Sequence, residues 1–593
     1  MRVGAPKEAR VHFTIIWFLL IFASHRATAP PRAKEKMSSY LPRNALPLPP
    51  AFHDSPATDY ANALIVFSKK YTWLANIHIV DFFTMAYWHM MDPEWRDALL
   101  SDRVGYHELM RLASFSECME PWPDSIKQFV REAVDLALLR DIPSNYNDGF
   151  VSSIDKHIIP GMTEKKLHEV EILSGLIAQV SKETGVSSVI DLGAGQGYLS
   201  RALAFQHDLH VLAIDSCSVQ TCGAQRYQEM AQKALGKPSQ KRKQSSSTAR
   251  PNEENNISAS ALTSNVIPSD RLPANASNLH HITQEVTLSS LPTLLADWST
   301  STFWHQSTAT GTASTDARAR WLLCGLHACG DLSSHMIRLF LGSDDVRCLV
   351  NVGCCYHFLS EGLEDEGATE SRFAFPMSRH FQAAQFQMGG TARMLACQAP
   401  SRWSERQEST VVSFEHHFFR ALLQVGVGRR FPCFSCGQSC FLSRSDMSVT
   451  RNVSSPHQYI MVDKGLATAT NPPILGRLNK KRDFTSFEVY CHAALRRLKL
   501  PLDSITAEEA RRYEAEFRLR GGDRQIAIVW TLRVLLAPVL ESVVLVDRWC
   551  AVREGMQLED ATERLEAGRK GVWMWPLFDR VTSPRNVVIV AVK

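Results

Sequence analysis

The spacing of hydrophobic residues changes along the chain after residue 160. From 161 to 185, apolar side chains recur every three or four residues, which predicts an amphipathic helix. These positions are Leu167, Val170, Leu173, Leu176, Ile177 and Val180. Beyond them, the short apolar runs SSVIDL, LHVLAID, RWLLCGL and RCLVNVG alternate with helical segments. Near-continuous apolar strands that alternate with helices predict an α/β fold with a mostly parallel, doubly wound sheet.

Helical patterns flank this α/β region on both sides. Residues 54–150 have mostly helical periodicity. Thr163 is the expected N-cap of the amphipathic helix, and Gly185 its expected end. Nearer the C-terminus, Pro538 is expected to kink or break the long apolar segment RQIAIVWTLRVLLAPVLESVVLVDRWC. The closing run VVIVAV predicts one last strand.

These patterns divide the chain into successive regions. One segment is rich in polar residues and almost devoid of large apolar ones, which is typical of a disordered insertion. The predicted regions are an extension at 1–36, a helical N-terminal region at 37–160, an α/β core at 161–425 that contains the disordered insertion at 237–277, a loop-rich insertion at 426–481, and a helical C-terminal part at 482–593 whose final strand completes the core sheet.

Composition indicates a globular protein and says little about partners. Hydrophobic residues make up 45% of the chain and charged residues 21%. The net charge of +4 over 593 residues is too small to argue for nucleic acid by itself. The chain has 14 cysteines, several of them inside apolar runs, which favours a reduced intracellular protein of the cytoplasm or nucleus.

The N-terminal segment disagrees with an intracellular location. His12 to Ala29 has basic residues before it, a short apolar core and an Ala-Thr-Ala ending, which is the pattern of a signal peptide and too short for a membrane span. Met37 then precedes ordinary globular sequence. We therefore expect residues 1–36 to be a dispensable extension or an upstream mis-start, with a secretory or anchored form as the alternative. No stable membrane insertion is expected, and the oligomeric state is left open.

The stretch VIDLGAGQGYLS, residues 189–200, is the best candidate for chemistry. A strand ends at Asp191, and three glycines in five residues turn the chain into a helix. Glycine is needed where the backbone takes conformations that a Cβ forbids or where a ligand approaches the main chain. The dinucleotide fingerprint G-x-G-x-x-G does not fit, because the third glycine comes one residue early. Asp215 ends the next strand, 24 residues after Asp191, close to the ~20-residue offset of a strand–helix–strand unit.

The D-x-G-x-G-x-G spacing resembles the first motif of S-adenosylmethionine-dependent methyltransferases. The blocks GMTEKKLHEV, GLHACGDLS, LVNVGCCYH, ARMLACQAPSRW, LAPVLESVVLVDRW and LFDRVTSPRNVVIVAVK further resemble the methyltransferase-like protein 25 family, which includes relatives named for a ribosomal RNA adenine dimethylase domain. The resemblance runs from about residue 60 to the end. It implies a Rossmann-like class I methyltransferase fold, although the third strand is less recognisable and is placed within 278–286.

The resemblance also implies S-adenosyl-L-methionine as the cofactor. The glycine turn would face the methionine part of that molecule, and Asp215 would accept hydrogen bonds from its ribose hydroxyls. The adenine contacts are not assigned, because they depend on the third strand. The implied cofactor-binding residues are Asp191, Gly193, Ala194, Gly195, Gln196, Gly197 and Asp215.

Two further segments, GLHACGD and GCCYH, follow the fourth and fifth strands, where ligands bind in open α/β sheets. His327 is a candidate general base, because an imidazole suits proton removal near neutral pH. Asp331 is expected to orient His327 or the substrate. Tyr356 is a candidate for stacking on a base, and His357 for contacting phosphate or taking a proton. Each of these side chains is also compatible with a purely structural role.

The cysteines raise two alternatives. Cys354 or Cys355 is a possible nucleophile, but the Pro-Cys context of covalent cytosine methylation is missing. A zinc site in FPCFSCGQSC has no clear fourth ligand nearby. We expect no structural metal. The cysteines of that segment are Cys433, Cys436 and Cys440.

The methyl acceptor is open to several interpretations. The Asn/Asp-Pro-Pro-Tyr/Phe signature of amino-methyltransferases is absent, so N6-adenine chemistry is not supported. The His-containing loop and the Cys-Cys-x-His loop resemble tRNA 2′-O-methyltransferases of the Trm-thirteen type, which favours an O or N nucleophile on RNA over a protein side chain. The alternatives are a protein methyltransferase, a catalytically silent fold that serves as a scaffold, and an NAD-type oxidoreductase, which the glycine spacing disfavours.

Overall fold

The structure is a computed structural model that describes residues 41–42, 44–142, 153–235, 278–300, 320–362, 373–430, 475, 478–558 and 570–593. The described residues all belong to one compact unit. The predicted extension at 1–36, the predicted insertion at 237–277 and most of the predicted insertion at 426–481 lie outside the described residues.

Helices precede the sheet, as the hydrophobic spacing predicts. Their bounds are α1 (Ala57–Lys70), α2 (Thr72–Ala75), α3 (Pro93–Leu100), α4 (Tyr106–Phe115) and α5 (Asp124–Leu136). Their apolar faces enter the main hydrophobic core, where Leu64 and Phe129 are fully buried. This burial of one face stabilises helices that are each too short to persist alone.

Helix α6 (Glu164–Thr184) leads into the sheet and begins and ends where the sequence predicts. The side chain of Thr163 accepts a hydrogen bond from the backbone N–H of Lys166, and Gly185 ends the helix in the left-handed conformation with φ 70°. The inner face of α6 is mostly apolar, and Glu169 is the one carboxylate buried in it, with a fully buried side chain.

The described strands form one seven-stranded sheet in the order β3-β2-β1-β4-β5-β7-β6. Strands β1 to β5 are parallel, and β7 is antiparallel to β5 and β6. This is the Rossmann-like α/β arrangement that the sequence predicts, and β3 falls within residues 278–286. The bounds are β1 (Ser188–Leu192), β2 (His210–Asp215), β3 (Leu279–Thr283), β4 (Trp321–Cys329), β5 (Val346–Cys354), β6 (Gly571–Pro576) and β7 (Val587–Val592).

Helices connect the parallel strands and bring their carboxyl ends to one edge of the sheet. They are α7 (Tyr198–Phe205), α8 (Ser218–Leu235), α9 (Leu291–Thr300) and α10 (Asp331–Gly342). Because β7 is antiparallel to β5, the loop between β6 and β7 lies at this same edge. The final strand was predicted, whereas β6 was not. Its sequence GVWMWP is buried throughout and has no alternation to mark it as a strand.

The remaining helices pack beside the sheet. They are α11 (Arg379–Ala383), α12 (Gly390–Leu395), α13 (Gln407–Arg430), α14 (Phe487–Leu498), α15 (Ala507–Leu519), α16 (Gly522–Leu535) and α17 (Ala537–Gly555). Pro538 lies in the first turn of α17, just after α16 ends, as predicted. The boundary predicted at 426 is wrong, because α13 continues to Arg430. Burial of Val427 there outweighs the low helix propensity of Gly426.

One helical stretch among the described residues, Gly522–Gly555, is long and apolar enough to cross a membrane by length and composition, with a mean hydropathy of 1.9. It is 89% buried inside the protein over that window. A core helix of a globular protein has the same composition, so the stretch does not indicate stable membrane insertion.

Candidate functional site

The glycine turn after β1 has a backbone conformation that only glycine adopts freely. The φ angles of Gly193, Gly195 and Gly197 are 75°, 55° and 65°. The backbone N–H groups of Gly193 and Ala194 both donate to the carbonyl oxygen of Ile214 in β2, at 2.8 and 3.1 Å. The turn is thereby fixed to the neighbouring strand.

The three glycines have different surroundings. A Cβ on Gly193 would lie 2.6 Å from Cδ2 of Leu332, and one on Gly197 would lie 2.9 Å from Cε1 of His281. A Cβ on Gly195 would meet no atom within 4 Å. Gly195 therefore faces open space in which a ligand can approach the backbone closely. Because this space is open, the turn can accommodate a methyl donor.

Asp215 stands beside the turn as the last residue of β2. Its Oδ2 accepts a hydrogen bond from the backbone N–H of Gly195 at 2.9 Å, and its Oδ1 accepts one from the N–H of Cys217 at 2.9 Å. Each carboxylate oxygen has a second lone pair. The half-buried carboxylate can therefore also accept hydrogen bonds from ligand hydroxyls.

Asp191 and Gln196 support the turn with their side chains. Asp191 is 2% exposed, and its Oδ2 accepts a hydrogen bond from the Ser200 hydroxyl at 2.5 Å. Burial raises the pKa of Asp191 to about 6, against the lowering effect of that hydrogen bond. The Gln196 amide donates to Oε1 of Gln220 in α8 at 2.7 Å. Both side chains are bonded to the neighbouring helices, and their predicted contact with the cofactor stays a prediction.

His327 lies at an irregularity near the end of β4. Its φ is 62°, and the pairing of β4 with β5 shifts register between Leu326 and Ala328. Such a bulge redirects a side chain out of the strand pattern. The imidazole Nε2 of His327 lies 2.8 Å from Oε2 of Glu169 in α6. The structure thus pairs the predicted base with a buried carboxylate.

Glu169 is held in its ionised form. Burial by itself raises the pKa of Glu169, but the hydrogen bond and charge of His327 and the hydrogen bond from Ser583 outweigh burial and lower the pKa to about 2. The Ser583 hydroxyl donates to Oε1 at 2.7 Å, and Nζ of Lys166 lies 3.2 Å from Oε2. An ionised carboxylate only accepts hydrogen bonds. In the neutral imidazole of His327 the ring proton is therefore on Nε2, and Nδ1 is the acceptor.

The orienting role predicted for Asp331 toward His327 is corrected, because Glu169 makes that contact, whereas its alternative role toward the substrate stays a prediction. Asp331 is exposed at the first position of α10, and its Oδ1 accepts a hydrogen bond from the backbone N–H of Ser360 at 2.7 Å. Asp331 therefore fixes the segment that follows β5.

The stacking role predicted for Tyr356 is also corrected, because its ring is enclosed in the core. Tyr356 is 1% exposed, and its hydroxyl donates to Oε1 of Glu541 in α17 at 3.0 Å. The guanidinium of Arg548 lies 5.6 Å from the ring centroid. Burial raises the pKa of Tyr356 well above its usual value. Tyr356 anchors the segment after β5 to α17.

His357 is half-buried one residue further on. Its ring centroid lies 4.0 Å from that of Phe358, and its Nδ1 lies 3.5 Å from Sγ of Cys397. The role predicted for His357, phosphate contact or proton transfer, stays a prediction.

Three thiols meet at the ends of β4 and β5. Sγ of Cys329 lies 3.2 Å from Sγ of Cys354 and 3.5 Å from that of Cys355, and the last two are 3.6 Å apart. Hydrogen bonds from Cys329 and Cys354 lower the pKa of Cys355. A thiolate is the nucleophilic form of cysteine, so a nucleophilic role remains a prediction. The segment of the other predicted cysteine cluster lies outside the described residues; it contains Cys433, Cys436 and Cys440.

Sequence reasoning missed Glu169, Ser583 and Cys329. Glu169 falls three residues before Ile172 on the buried stripe of α6, and a lone carboxylate in such a stripe could have marked it. Cys329 lies inside the quoted GLHACGD segment. Nothing local marks Ser583, because only the closing hairpin brings it to this edge.

The fold and the open glycine turn define a class I methyltransferase domain, and the comparisons with known proteins agree. A protein-family profile described as "Methyltransferase domain" matches residues 165–362. The mouse protein named "Probable methyltransferase-like protein 25" is 23% identical over 93% of this chain and 98% of its own length. The human protein of the same name is 24% identical over 73% of this chain and 75% of its own length.

The chain therefore contains a methyltransferase domain and is similar to methyltransferase-like protein 25 over most of its length. The resemblance predicted from the sequence blocks is confirmed. No solved structure gives a significant match.

Proposed function

We propose that this protein transfers a methyl group from S-adenosyl-L-methionine to an oxygen or nitrogen nucleophile of a macromolecule, with an RNA hydroxyl as the favoured acceptor. The observation that carries the proposal is the pairing of His327 with buried Glu169 beside the open glycine turn. Strands β1 and β4 are neighbours, so the loops that follow them adjoin. A cofactor at the turn would lie next to the base.

The cofactor supplies an activated methyl group on a sulfonium leaving group. The open backbone at Gly195 would receive its methionine part, and the carboxylate of Asp215 would accept hydrogen bonds from its ribose hydroxyls. With the leaving group already activated, the protein contributes mainly alignment.

The proton of the acceptor goes to His327 in this scheme. The ionised Glu169 holds the Nε2 proton of His327, so Nδ1 is the atom that can accept a proton. The positive charge that results on the imidazole is stabilised by the carboxylate 2.8 Å away. A base of this kind accelerates a reaction by roughly 100- to 10,000-fold.

A hydroxyl is the favoured acceptor because it must lose a proton to become a good nucleophile, which requires such a base. The segment GLHACGD replaces the Asn/Asp-Pro-Pro-Tyr/Phe signature that binds amino groups, which also favours oxygen. The likeness of both loops to tRNA 2′-O-methyltransferases of the Trm-thirteen type favours RNA over protein.

The test is methyl transfer from labelled S-adenosyl-L-methionine to total RNA and to total protein, with the Gly195→Arg variant as the blank. We expect label in the RNA that is recovered as 2′-O-methylated nucleosides after nuclease digestion. Label confined to protein would overturn the RNA acceptor and leave a protein methyltransferase. Absence of both label and cofactor binding in folded protein would overturn the methyltransferase reaction and favour a silent scaffold.

A further inference from the structure

Two adjacent parallel strands, β4 and β5, bring the three thiols together at their carboxyl ends. Cys329 and Cys354 are paired residues of the adjacent parallel strands, so their side chains point to the same side of the sheet. Cys355 has a left-handed backbone with φ 50°, which is unusual for a residue other than glycine. That conformation brings its thiol back toward the other two. A strained conformation of this kind occurs most often at functional sites.

The sulfur spacing matches the edge of a metal coordination sphere. A tetrahedral zinc ion with Zn–S bonds of about 2.3 Å separates its sulfur ligands by about 3.8 Å. The observed Sγ separations of 3.2, 3.5 and 3.6 Å are a few tenths of an ångström shorter. A small outward movement of the side chains would therefore admit one ion. An iron–sulfur cluster separates its thiolate ligands by the width of the cluster and does not fit sulfurs this close.

The donor set and its exposure favour zinc. Thiolates are soft ligands that select ions such as Zn²⁺ over hard cations such as Mg²⁺ and Ca²⁺. Cys354 is buried, Cys355 is half-buried and Cys329 is exposed, so the cluster is reachable from solvent on one side. Among the described residues, no histidine or carboxylate joins these sulfurs at the same close spacing.

The geometry points to a mononuclear zinc site in which the thiolates of Cys329, Cys354 and Cys355 bind one Zn²⁺, with the fourth position taken by water or by an atom of the acceptor. Each thiol that binds releases its proton to solvent. Three protein ligands with an exchangeable fourth is the pattern of zinc sites that take part in reactions. The site goes beyond the proposed function and reverses the sequence-based expectation that no structural metal is bound.

The test is the metal content of the full chain, purified without chelator and measured by mass spectrometry together with a count of free thiols in denaturant. We expect about one zinc per chain. Cys329→Ser and Cys355→Ser should each abolish that zinc, while Cys222→Ser, an exposed cysteine of α8, should retain it. Replacement of zinc by Co²⁺ should give a thiolate-to-cobalt charge-transfer band, because the ligands are sulfurs.

A second variant keeps the test specific to this cluster. In this combined variant, Cys433, Cys436 and Cys440 are all replaced by serine, and we expect it to keep its zinc. Retention of zinc in Cys329→Ser with its loss in that combined variant would overturn the assignment. A chain without metal whose thiol count shows a disulfide between Cys329 and Cys354 would overturn it as well.

The outcome is separable from that of the methyl-transfer proposal. Gly195→Arg changes the glycine turn and leaves all three thiols in place, so it should keep its zinc while losing its cofactor. Circular dichroism of each variant shows whether loss of metal reflects loss of fold. Loss of zinc from a folded Cys329→Ser variant that still binds S-adenosyl-L-methionine is the expected result.

Discussion

The two halves of the site are built in different ways. The proposed cofactor edge, residues 191–197 with Asp215, comes from one strand–helix–strand unit, and its backbone hydrogen bonds join neighbouring strands. The acceptor edge, residues 325–331 and 353–357, depends on distant parts of the chain. Glu169 lies 158 residues before His327, and Ser583 lies 414 residues after Glu169.

This difference indicates which part of the site many sequences of this fold can form and which part depends on the packing of this particular chain. The cofactor edge needs only a local backbone shape and one carboxylate, which many sequences can supply. The acceptor edge depends on α6 and the closing β6–β7 hairpin, which contact each other through the hydrogen bond from Ser583 to Glu169. Substitutions at the cofactor edge should therefore remove binding without unfolding the protein, whereas many at the acceptor edge should affect both activity and stability.

The largest expected effect is at the cofactor edge. Gly195→Arg should weaken S-adenosyl-L-methionine binding by more than about 100-fold, which corresponds to about 2.7 kcal/mol, because the side chain would fill the open space at the turn. Calorimetric titration measures this loss. The matched control is Gly185→Arg, since Gly185 also has a left-handed φ of 70° and no atom within 4 Å of a Cβ.

Both variants carry a similar backbone strain of about 1 kcal/mol or more. Equal binding by wild type and Gly195→Arg would show that the cofactor does not use this turn. Equal loss in both variants would show that strain, and not the occupied space, removes binding.

The next largest effect is expected at the acceptor edge. His327→Gln should lower kcat by roughly 100- to 10,000-fold while leaving cofactor affinity unchanged, because it removes the base but no part of the turn. Single-turnover methyl transfer measures the change. His357→Gln is the comparison, since His357 lacks the contact with Glu169, and it should have the smaller effect. A larger loss in His357→Gln would move the base to that histidine.

The stability that Glu169 contributes at the acceptor edge should depend on pH. The pKa of Glu169 is lowered to about 2, so its ionised form contributes stability that is fully present above the pKa of the unfolded chain and is lost as the pH falls toward about 2. Glu169→Gln should therefore cost about 3 kcal/mol of unfolding free energy at neutral pH. Its deficit should shrink between about pH 5 and about pH 3 in urea unfolding.

Glu405→Gln, at an exposed surface carboxylate, is the control and should leave the pH profile unchanged. A pH-independent deficit in Glu169→Gln would mean that its charge is not what stabilises this edge.

The smallest effect is expected from Tyr356→Phe. Loss of the buried hydroxyl that donates to Glu541 should lower the unfolding free energy by about 1–3 kcal/mol. Turnover should be retained, because the ring is enclosed. Tyr60→Phe removes a comparable buried hydrogen bond, to the carbonyl of Leu136 at 2.7 Å, and is the control for stability. Tyr356→Phe with full stability and lost turnover would restore a direct role with the acceptor.

The sequence alone was sufficient for the α/β fold, the caps of α6, the break at Pro538 and the glycine turn. Each depends on hydrophobic spacing or on the backbone preferences of single residues, which are local properties. It was insufficient for β6, whose buried apolar run has no alternation, and for the extent of α13, where burial overrides the propensity of glycine.

Tertiary structure alone decided which carboxylate orients His327, whether Tyr356 is accessible, and that three thiols meet. Asp331 is close to His327 in sequence, yet α10 carries it toward Ser360, while α6 delivers Glu169. Contacts between residues far apart in the chain depend on how whole elements pack, and no local pattern encodes them. The sequence therefore determined a methyltransferase fold and its glycine turn, whereas packing determined the surroundings of His327.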